Sequence, residues 1–216
     1  MKALNEIEQH KIVAIIRGYE EEDAYAIAKA LYDGGIRLVE VTLNSPHALR
    51  TIEKISKELG GEMLVGAGTV LDPESAQAAL MAGAKFILSP SLNTETIKLT
   101  KRYGAVSIPG AYTPTEILTA YEAGADVVKV FPATTLGPSY IKDLNGPLPQ
   151  LRLLPTGGVT LDNVESYLSV GAFGVGLGSS LVHKTKEVTE EYLEEITDKA
   201  RQFTSFVKEA TGGHLS

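Results

Sequence analysis

Two charged residues stand in the middle of sequence stretches that otherwise suit buried β-strands. Lys129 is the central residue of VVKVF, residues 127–131, and Glu40 is the central residue of LVEVT, residues 38–42. Burial removes an ammonium group from water and lowers the pKa of lysine, and a neutral amine is a nucleophile toward carbonyl carbon. A carboxyl group beside the amine can carry the protons needed to form a Schiff base. These residues are the candidate nucleophile and acid–base group; a structural ion pair is the alternative.

The alternation of side chains along each strand indicates that Glu40 and Lys129 both point toward the interior of the protein. Alternate residues of a strand lie on one face. Glu40 shares its parity with Thr42, and Lys129 shares its parity with Phe131. The residues of opposite parity are all apolar and suit packing under helices: Val39, Val41, Leu43, Val128 and Val130. Chain order alone does not establish that the two charged groups meet.

The elements that must position these residues are visible as a repeat. Eight strand-like runs alternate with segments of helical spacing: KIVAIIR, RLVEVTLN, EMLVGAGTV, AKFILSP, AVSIPGA, DVVKVFPA, RLLPTG and FGVGLGS. Glycines that would end a helix before the next strand recur every 20 to 25 residues, at Gly35, Gly60, Gly83, Gly104, Gly124, Gly146 and Gly171. Eight such units favour a closed barrel over an open doubly wound sheet. We therefore predict an α/β fold, a single-domain (β/α)8 TIM barrel over residues 1–216 with a frayed tail at 212–216.

In such a barrel the active site lies at the carboxyl ends of the strands, where two glycine-rich stretches occur. Gly157 and Gly158 in PTGGV, and Gly178 and Ser179 in GLGSS, end the last two predicted strands. Backbone amides at such turns, with a short helix expected to begin at about Ser180, suit the binding of a phosphate group. Tight turns without any ligand are the alternative interpretation.

Two further strand ends carry polar residues. Arg17 ends the first predicted strand and Thr69 ends the third, and both side chains suit a substrate carboxylate. A salt bridge at the barrel rim is the alternative for Arg17. The stretch GAGTVL begins like a dinucleotide-binding fingerprint, but Leu71 occupies the place of its third glycine, which argues against a nicotinamide cofactor.

The composition limits the partners and cofactors that the protein can use. The net charge of -7 opposes binding to nucleic acid or to an anionic membrane surface. The chain has no cysteine, which excludes disulfides and thiolate catalysis, and its four histidines lack metal-ligand spacing, so we expect no metal. The amino terminus has too short an apolar run for a signal peptide or a membrane span, and we expect a cytoplasmic protein.

Several motifs together resemble those of one enzyme family. IVAIIRG, VEVTL, VGAGTV, ILSP, IPGAYTPTE, VKVFPA, PTGG and GLGSS occur in this order and cover nearly the whole chain. They resemble the 2-keto-3-deoxy-6-phosphogluconate (KDPG) aldolase and 4-hydroxy-2-oxoglutarate (KHG) aldolase family. The glutamate of VEVTL and the lysine of VKVFPA are the most specific parts, since the glycine loops also suit other phosphate-binding barrels.

The resemblance implies a role for each candidate residue. Lys129 would form an imine with the 2-keto group of the substrate, and Glu40 would act as acid and base. Thr69 and Pro90 would line the pyruvate end of the site, and Phe131 would pack beside the lysine. The substrate phosphate would be held by Gly157, Gly158, Gly178 and Ser179. The resemblance implies no cofactor, and it implies a homotrimer.

One position departs from the family pattern. Many members follow the glutamate with VTLR, whereas this chain has VTLN with Asn44, and Arg17 looks like the alternative arginine of other members. The implied reaction is class I cleavage of KDPG to pyruvate and glyceraldehyde 3-phosphate. The same mechanism on KHG or on 2-dehydro-3-deoxy-6-phosphogalactonate, a phosphosugar isomerase or epimerase, and a non-catalytic barrel that binds a phosphorylated metabolite are the alternatives.

Overall fold

Strands and helices alternate along the chain in a computed structural model, which describes residues 2–184 and 186–210. The strands are β1 (Ile12–Ile16), β2 (Leu38–Thr42), β3 (Leu64–Gly68), β4 (Phe86–Leu88), β5 (Val106–Ile108), β6 (Gly110–Ala111), β7 (Val128–Val130), β8 (Leu153–Pro155) and β9 (Val175–Leu177). The helices are α1 (Lys2–His10), α2 (Glu21–Asp33), α3 (Ala48–Glu58), α4 (Pro73–Met81), α5 (Thr94–Arg102), α6 (Pro114–Glu122), α7 (Gly137–Asn145), α8 (Val164–Ser169) and α9 (Glu190–Ala210). A 3₁₀ turn covers Ala133–Thr135.

The strands form a curled parallel sheet, which confirms the predicted α/β class. One part has the strand order β5-β4-β3-β2-β1-β9, and the other has the order β6-β7-β8. Every strand pair recorded in these two parts is parallel, as expected when helices connect successive strands. In the register of the sheet, Glu40 of β2 lies between Ile15 of β1 and Gly66 of β3.

Each of the eight predicted runs contains a strand, but the fifth is divided. β5 and β6 are separated by Pro109, which has no backbone N–H to give to a ladder. The carbonyl of Pro109 still accepts a hydrogen bond from the backbone N–H of Lys129, at 2.9 Å. The chain therefore stays hydrogen-bonded to β7 across the interruption at Pro109.

Three sequence-based expectations need a correction or a limit. Helix α1, which precedes the first strand, was not predicted, and its Ile7 is fully buried among residues of the strands. The short helix expected at about Ser180 is wrong, because the N–H groups of Leu181 and Val182 both donate to the carbonyl of Gly178 and form a turn. The predicted frayed tail, residues 212–216, lies outside the described residues.

Side-chain caps start three of the helices that follow strand ends: α4, α5 and α6. Thr113 and Glu116 form a reciprocal capping box at the start of α6, with Pro114 as the first helical residue. At α4 the carboxylate of Asp72 accepts a hydrogen bond from the backbone N–H of Ser75, at 2.6 Å. These caps fix the loops at the carboxyl ends of the strands, where the site is expected.

Apolar residues fill both sides of the sheet. The larger cluster lies between the strands and the helices, and each fully buried aliphatic side chain in it contributes about 1.5–3 kcal/mol relative to exposure. A smaller cluster faces the other side of the strands and includes Val13, Leu38, Phe86, Leu88, Ile108 and Leu154. Within residues 2–184 and 186–210, no helix combines the length and apolar composition that crossing a membrane requires.

Candidate active site

A cavity of about 460 Å³ lies at the carboxyl ends of β1, β7, β8 and β9. Seven of the predicted site residues line it: Arg17, Lys129, Phe131, Gly157, Gly158, Gly178 and Ser179. The other lining residues are Ile15, Thr156, Val159, Thr160, Gly176, Ser180, Val182 and Lys184. Residues that are far apart in the sequence therefore share one cavity, whose size suits a small metabolite.

Lys129 lies at the centre of β7 and is 3% exposed. Its neighbours in the register are Gly110 of β6 and Leu154 of β8. The ammonium nitrogen lies 4.9 Å from the ring centre of Phe131, a cation–π contact that orients the side chain. The amine is thus nearly sealed by protein while it borders the cavity.

Glu40 is completely buried and does not itself line the cavity. Neither of its carboxylate oxygens has a hydrogen-bond partner among the residues that the structure describes. Burial raises the pKa of Glu40, and the positive charges of Lys129 and Arg17 oppose that rise. The carboxyl group therefore holds its proton to a higher pH than an exposed glutamate does, which suits a group that gives and takes protons.

The position of the Glu40 carboxyl group depends on a glycine in the neighbouring strand. A Cβ placed on Gly68 of β3 would lie 2.7 Å from Cδ of Glu40 and within 2.9 Å of both carboxylate oxygens. No side chain larger than hydrogen fits at Gly68 unless the carboxyl group moves. No local sequence pattern indicates this role of Gly68, because the contact joins two strands.

Arg17 and Thr69 meet at the end of the sheet. The Arg17 guanidinium donates a long hydrogen bond of 3.4 Å to the hydroxyl of Thr69. Thr69 has a φ of 56°, a left-handed conformation that is unusual for a β-branched residue and costs about 1–3 kcal/mol. Such strain is common in active sites and makes Thr69 a candidate binding residue together with the guanidinium.

The turn that carries Arg17 is tied to the loop after β2. The backbone N–H of Gly18 donates to the hydroxyl of Ser45 at 2.8 Å, and that hydroxyl lies 3.0 Å from the hydroxyl of the buried Thr42. Asn44, the last residue of VTLN, is exposed and does not line the cavity. Arg17 is the arginine that borders the cavity.

Pro90 does not line the cavity but packs close to the strand beside Lys129. A Cβ on Gly110 would lie 2.5 Å from the carbonyl carbon of Pro90, and Gly110 is the register partner of Lys129. Thr69 also lies outside the lining. The structure thus brings Arg17, Lys129 and Phe131 to the cavity directly and places Glu40, Thr69 and Pro90 behind or beside them.

The glycine loop after β8 needs both of its glycines. Gly157 and Gly158 have φ values of 88° and 77°, in the left-handed region that favours glycine. A Cβ on Gly158 would also lie 2.9 Å from Cα of Thr134. Asn163 holds this loop by donating to the carbonyl of Gly158 at 2.9 Å. The loop is therefore fixed beside the turn of Gly178 and Ser179 in the cavity wall.

Four polar residues of the cavity lining were not among the predicted site residues: Thr156, Thr160, Ser180 and Lys184. Thr156 is buried and stands immediately before Gly157, so the PTGG motif itself could have identified it. Lys184 has no signal in the sequence, because an exposed lysine after a glycine-rich turn looks like any surface lysine. Among the lining residues that the structure describes, three side chains are cationic, those of Arg17, Lys129 and Lys184, and none is a carboxylate.

This distribution of charge favours an anionic ligand although the whole chain carries a net charge of -7. Among the described residues, no group of three or more histidine, aspartate or glutamate side chains is arranged so that it could hold a metal ion. The chemistry that the described side chains offer is nucleophilic and acid–base chemistry on a small anion.

Comparison with known proteins shows the family to which the chain belongs. The family model described as KDPG and KHG aldolase matches residues 4–198. The chain is 38% identical to the 2-dehydro-3-deoxy-6-phosphogalactonate aldolase of Escherichia coli strain K12 over 198 residues, which cover 91% of this chain and 93% of that protein. A solved structure described as native KDPGal is 37% identical, with a TM-score of 0.87, and the match covers 93% and 96% of the two chains.

A second solved structure adds a chemical observation about a relative. It is the KDPG aldolase of Legionella pneumophila with pyruvate captured at low pH as a covalent carbinolamine intermediate. It is 31% identical to this chain, with a TM-score of 0.81, and the match covers 93% of this chain and 97% of that one. The resemblance predicted from the motifs is thereby confirmed: this chain belongs to the KDPG and KHG aldolase family of carbon–carbon lyases.

Proposed function

We propose that this protein is a class I aldolase that cleaves KDPG to pyruvate and glyceraldehyde 3-phosphate, with Lys129 as nucleophile and Glu40 as acid–base group. The observation that carries the proposal is the nearly buried Lys129 amine at the cavity wall, whose charge acts on the fully buried Glu40 carboxyl group. The galactonate epimer is the second candidate substrate, since the Escherichia coli relative is a 2-dehydro-3-deoxy-6-phosphogalactonate aldolase.

We also infer that the two parts of the sheet belong to one closed eight-stranded barrel in a single domain. β5 and β6 follow one another through Pro109, which supports counting them as one strand. A parallel bridge between Thr156 and Gly176 links the ends of β8 and β9. Closure would bring β2 and β7 to face each other across a narrow interior, as Glu40 and Lys129 require.

The first half of the reaction forms the imine. Lys129 attacks the keto carbon at C2 of the substrate as the neutral amine, after its ammonium group has released one proton to solvent, and the nitrogen then passes a proton to the C2 oxygen to give a carbinolamine. The hydroxyl group at C2 takes a proton from Glu40 and leaves as water, and the resulting iminium ion is bonded to Nζ. This cation is an electron sink beside the bond between C3 and C4.

The second half breaks the carbon–carbon bond. Glu40, now ionised, removes the proton from the hydroxyl group at C4, and the electron pair of the C3–C4 bond moves into the iminium group. Glyceraldehyde 3-phosphate leaves, and an enamine remains on Lys129. Protonation at C3 and addition of water to C2 then release pyruvate and the free amine.

The other predicted residues bind the two anionic groups of the substrate. Arg17 and Thr69 hold the substrate carboxylate next to the keto carbon, because the guanidinium cation attracts the carboxylate and donates hydrogen bonds to it. The phosphate lies at the other end of the cavity, against the loop of Gly157 and Gly158 and the turn that begins at Gly178. Contacts to the remote phosphate supply binding energy that orients the reacting bond.

Reduction with borohydride in the presence of pyruvate tests this proposal. We expect a stable adduct on the peptide that contains Lys129, found by mass mapping, and no adduct in Lys129→Ala. Lys142→Ala is the matched control, because Lys142 is an exposed lysine of α7 that does not line the cavity. An unmodified Lys129 peptide would exclude an imine and favour an isomerase, an epimerase or a metabolite-binding protein.

Turnover of the purified epimers separates the substrates. Pyruvate release, coupled to lactate dehydrogenase, is measured with KDPG, with its galactonate epimer and with KHG. We expect the phosphorylated substrates to have the higher kcat/KM because the charged side chains among the described lining residues are all cationic. The homotrimer and the cytoplasmic location implied by the sequence stay predictions, which light scattering and cell fractionation address.

A further inference from the structure

Lys184 is a cationic residue of the cavity to which the mechanism above gives no role. It lines the cavity together with the turn of Gly178 and Ser179. Its side chain is exposed, and it forms none of the ion pairs recorded between described residues. The short segment that contains it, residues 182–184, is called the Lys184 segment below.

Two buried tyrosines hold the Lys184 segment in place. The hydroxyl group of Tyr19 donates to the carbonyl of His183 and lies 3.1 Å from the carbonyl of Lys186. The hydroxyl group of Tyr192, from α9, accepts the backbone N–H of His183 at 2.8 Å. The two tyrosines are 6% and 3% exposed, and their hydroxyl oxygens are 3.5 Å apart.

The same contacts connect the Lys184 segment to the turn that carries Arg17. Tyr19 follows Arg17 by two positions, and a Cβ on Gly18 would lie 3.5 Å from the carbonyl oxygen of Lys184. Burial raises the pKa of Tyr19, with Tyr192 adding to the rise, so its hydroxyl group remains a donor. The backbone of the Lys184 segment is thus fixed on two sides.

The cations of the cavity occupy different parts of its wall. Lys129 is 3% exposed, and the guanidinium of the exposed Arg17 reaches the hydroxyl of Thr69, which follows Gly68 beside the Glu40 carboxyl group. The charges of Lys129 and Arg17 accordingly oppose the rise that burial gives to the pKa of Glu40. Lys184 is also exposed, but it lies on the segment that follows the turn of Gly178 and Ser179 and is not among the charges that act on Glu40. A substrate bound to Lys129 and Arg17 therefore extends its far end toward Lys184.

We propose that Lys184 binds the distal anionic group of the substrate and that Tyr19 and Tyr192 are positioning residues that hold it over the cavity. This inference rests on the proposed function. A lysine ammonium is a compact charge that suits a phosphate, but its flexible side chain loses conformational freedom on binding. Fixing the backbone of the segment lowers that cost, because only the side chain remains to be ordered.

The test compares substrates that differ only in the phosphate. For Lys184→Ala and Lys184→Gln we expect kcat/KM with KDPG to fall by roughly 10- to 100-fold, the effect of a lost hydrogen bond to a charged group. The loss should appear mainly in KM. The kcat/KM for unphosphorylated 2-keto-3-deoxygluconate should be unchanged, inhibition by inorganic phosphate should weaken, and Lys184→Arg should retain most of the phosphate preference.

Further variants separate positioning from general damage. Tyr19→Phe and Tyr192→Phe should reduce the preference for the phosphorylated substrate in the same direction but less, while borohydride trapping of pyruvate stays at the wild-type level. Lys142→Ala, which removes an exposed charge elsewhere, should change neither substrate. An equal loss with both substrates, or no loss in Lys184→Ala, would overturn the inference.

The outcome is distinguishable from a failure of the proposed function. If pyruvate is trapped on Lys129 but the preference for the phosphorylated substrate does not depend on Lys184, the proposed aldolase function is supported and only the proposed role of Lys184 is wrong. If no imine forms on Lys129, the proposed aldolase function is wrong. Calorimetry with inorganic phosphate then decides whether Lys184 binds this anion.

Discussion

Replacing Gly68 by alanine tests whether the placement of the Glu40 carboxyl group controls the reaction. The new methyl carbon would lie 2.7 Å from Cδ of Glu40, about 1 Å closer than carbon atoms normally pack. Gly68 does not have a left-handed φ, so alanine fits the backbone and only the side-chain contact is violated. The strain therefore falls on Glu40.

The size of the effect follows from the burial of Glu40. Its side chain is 0% exposed, so it has no solvent-filled space into which to withdraw, and overpacking of this kind costs about 1–3 kcal/mol of stability. A shift of about 1 Å in a reacting group lowers the rate roughly 100-fold. We expect Gly68→Ala to remain folded, to lose roughly 100-fold in kcat and to trap pyruvate on Lys129 more slowly.

Gly66→Ala is the matched control. Gly66 lies in the same strand, and a Cβ there would come within 2.2 Å of the ring of Phe86 rather than near the Glu40 carboxyl group. Urea denaturation and the coupled pyruvate assay are measured for both variants. We expect Gly66→Ala to lose stability while keeping most of its kcat. Wild-type kcat in Gly68→Ala, or equal losses of kcat in the two variants, would refute the reasoning.

Two further perturbations address the acid–base group and the arginine turn. Glu40→Gln should slow imine formation on Lys129 by roughly 10²- to 10⁴-fold in single-turnover trapping, and unchanged trapping would exclude Glu40 as the proton donor. Burial raises the pKa of Glu40 in the folded state above the pKa of about 4.3 that a glutamate has in the unfolded chain. Ionisation of Glu40 therefore lowers the free energy of unfolding as the pH rises from the pKa of the unfolded state through the pKa of the folded state. The stability gain of Glu40→Gln in urea titrations should therefore grow with pH over that interval and then level off; a constant difference would contradict it. Ser45→Ala removes the acceptor of the Gly18 N–H, and we expect KM to rise and kcat/KM to fall roughly 2- to 10-fold because Arg17 is less well held, with recovery in Ser45→Thr.

The α/β class, the order of the strands along the chain and seven residues that line the cavity could be predicted from the sequence. Strand residues alternate with period two and helices end in glycine, so positions such as Lys129 could be assigned to strand interiors by counting. The division of the fifth strand at Pro109 was visible in the residue type but not in the apolar pattern. Helix α1 was missed because a single short helix before the first strand does not repeat.

Contacts between distant parts of the chain could not be predicted in the same way. Gly68 has a reason to be glycine only because Glu40 lies beside it on another strand. Lys184 lines the cavity next to His183, whose backbone forms hydrogen bonds with Tyr19 and Tyr192. Neither relation leaves a local pattern, since the partners lie more than twenty residues away or act through the backbone.

The sequence by itself determined the order of the strands and of the helices between them, the family, and the chemical groups at the strand ends, because these properties depend on neighbours along the chain. Only the tertiary structure decided which of these groups share a cavity, and that Glu40 is buried without a hydrogen-bond partner among the described residues. Burial and electrostatic interaction depend on distance through space, and folding brings together residues that the sequence separates.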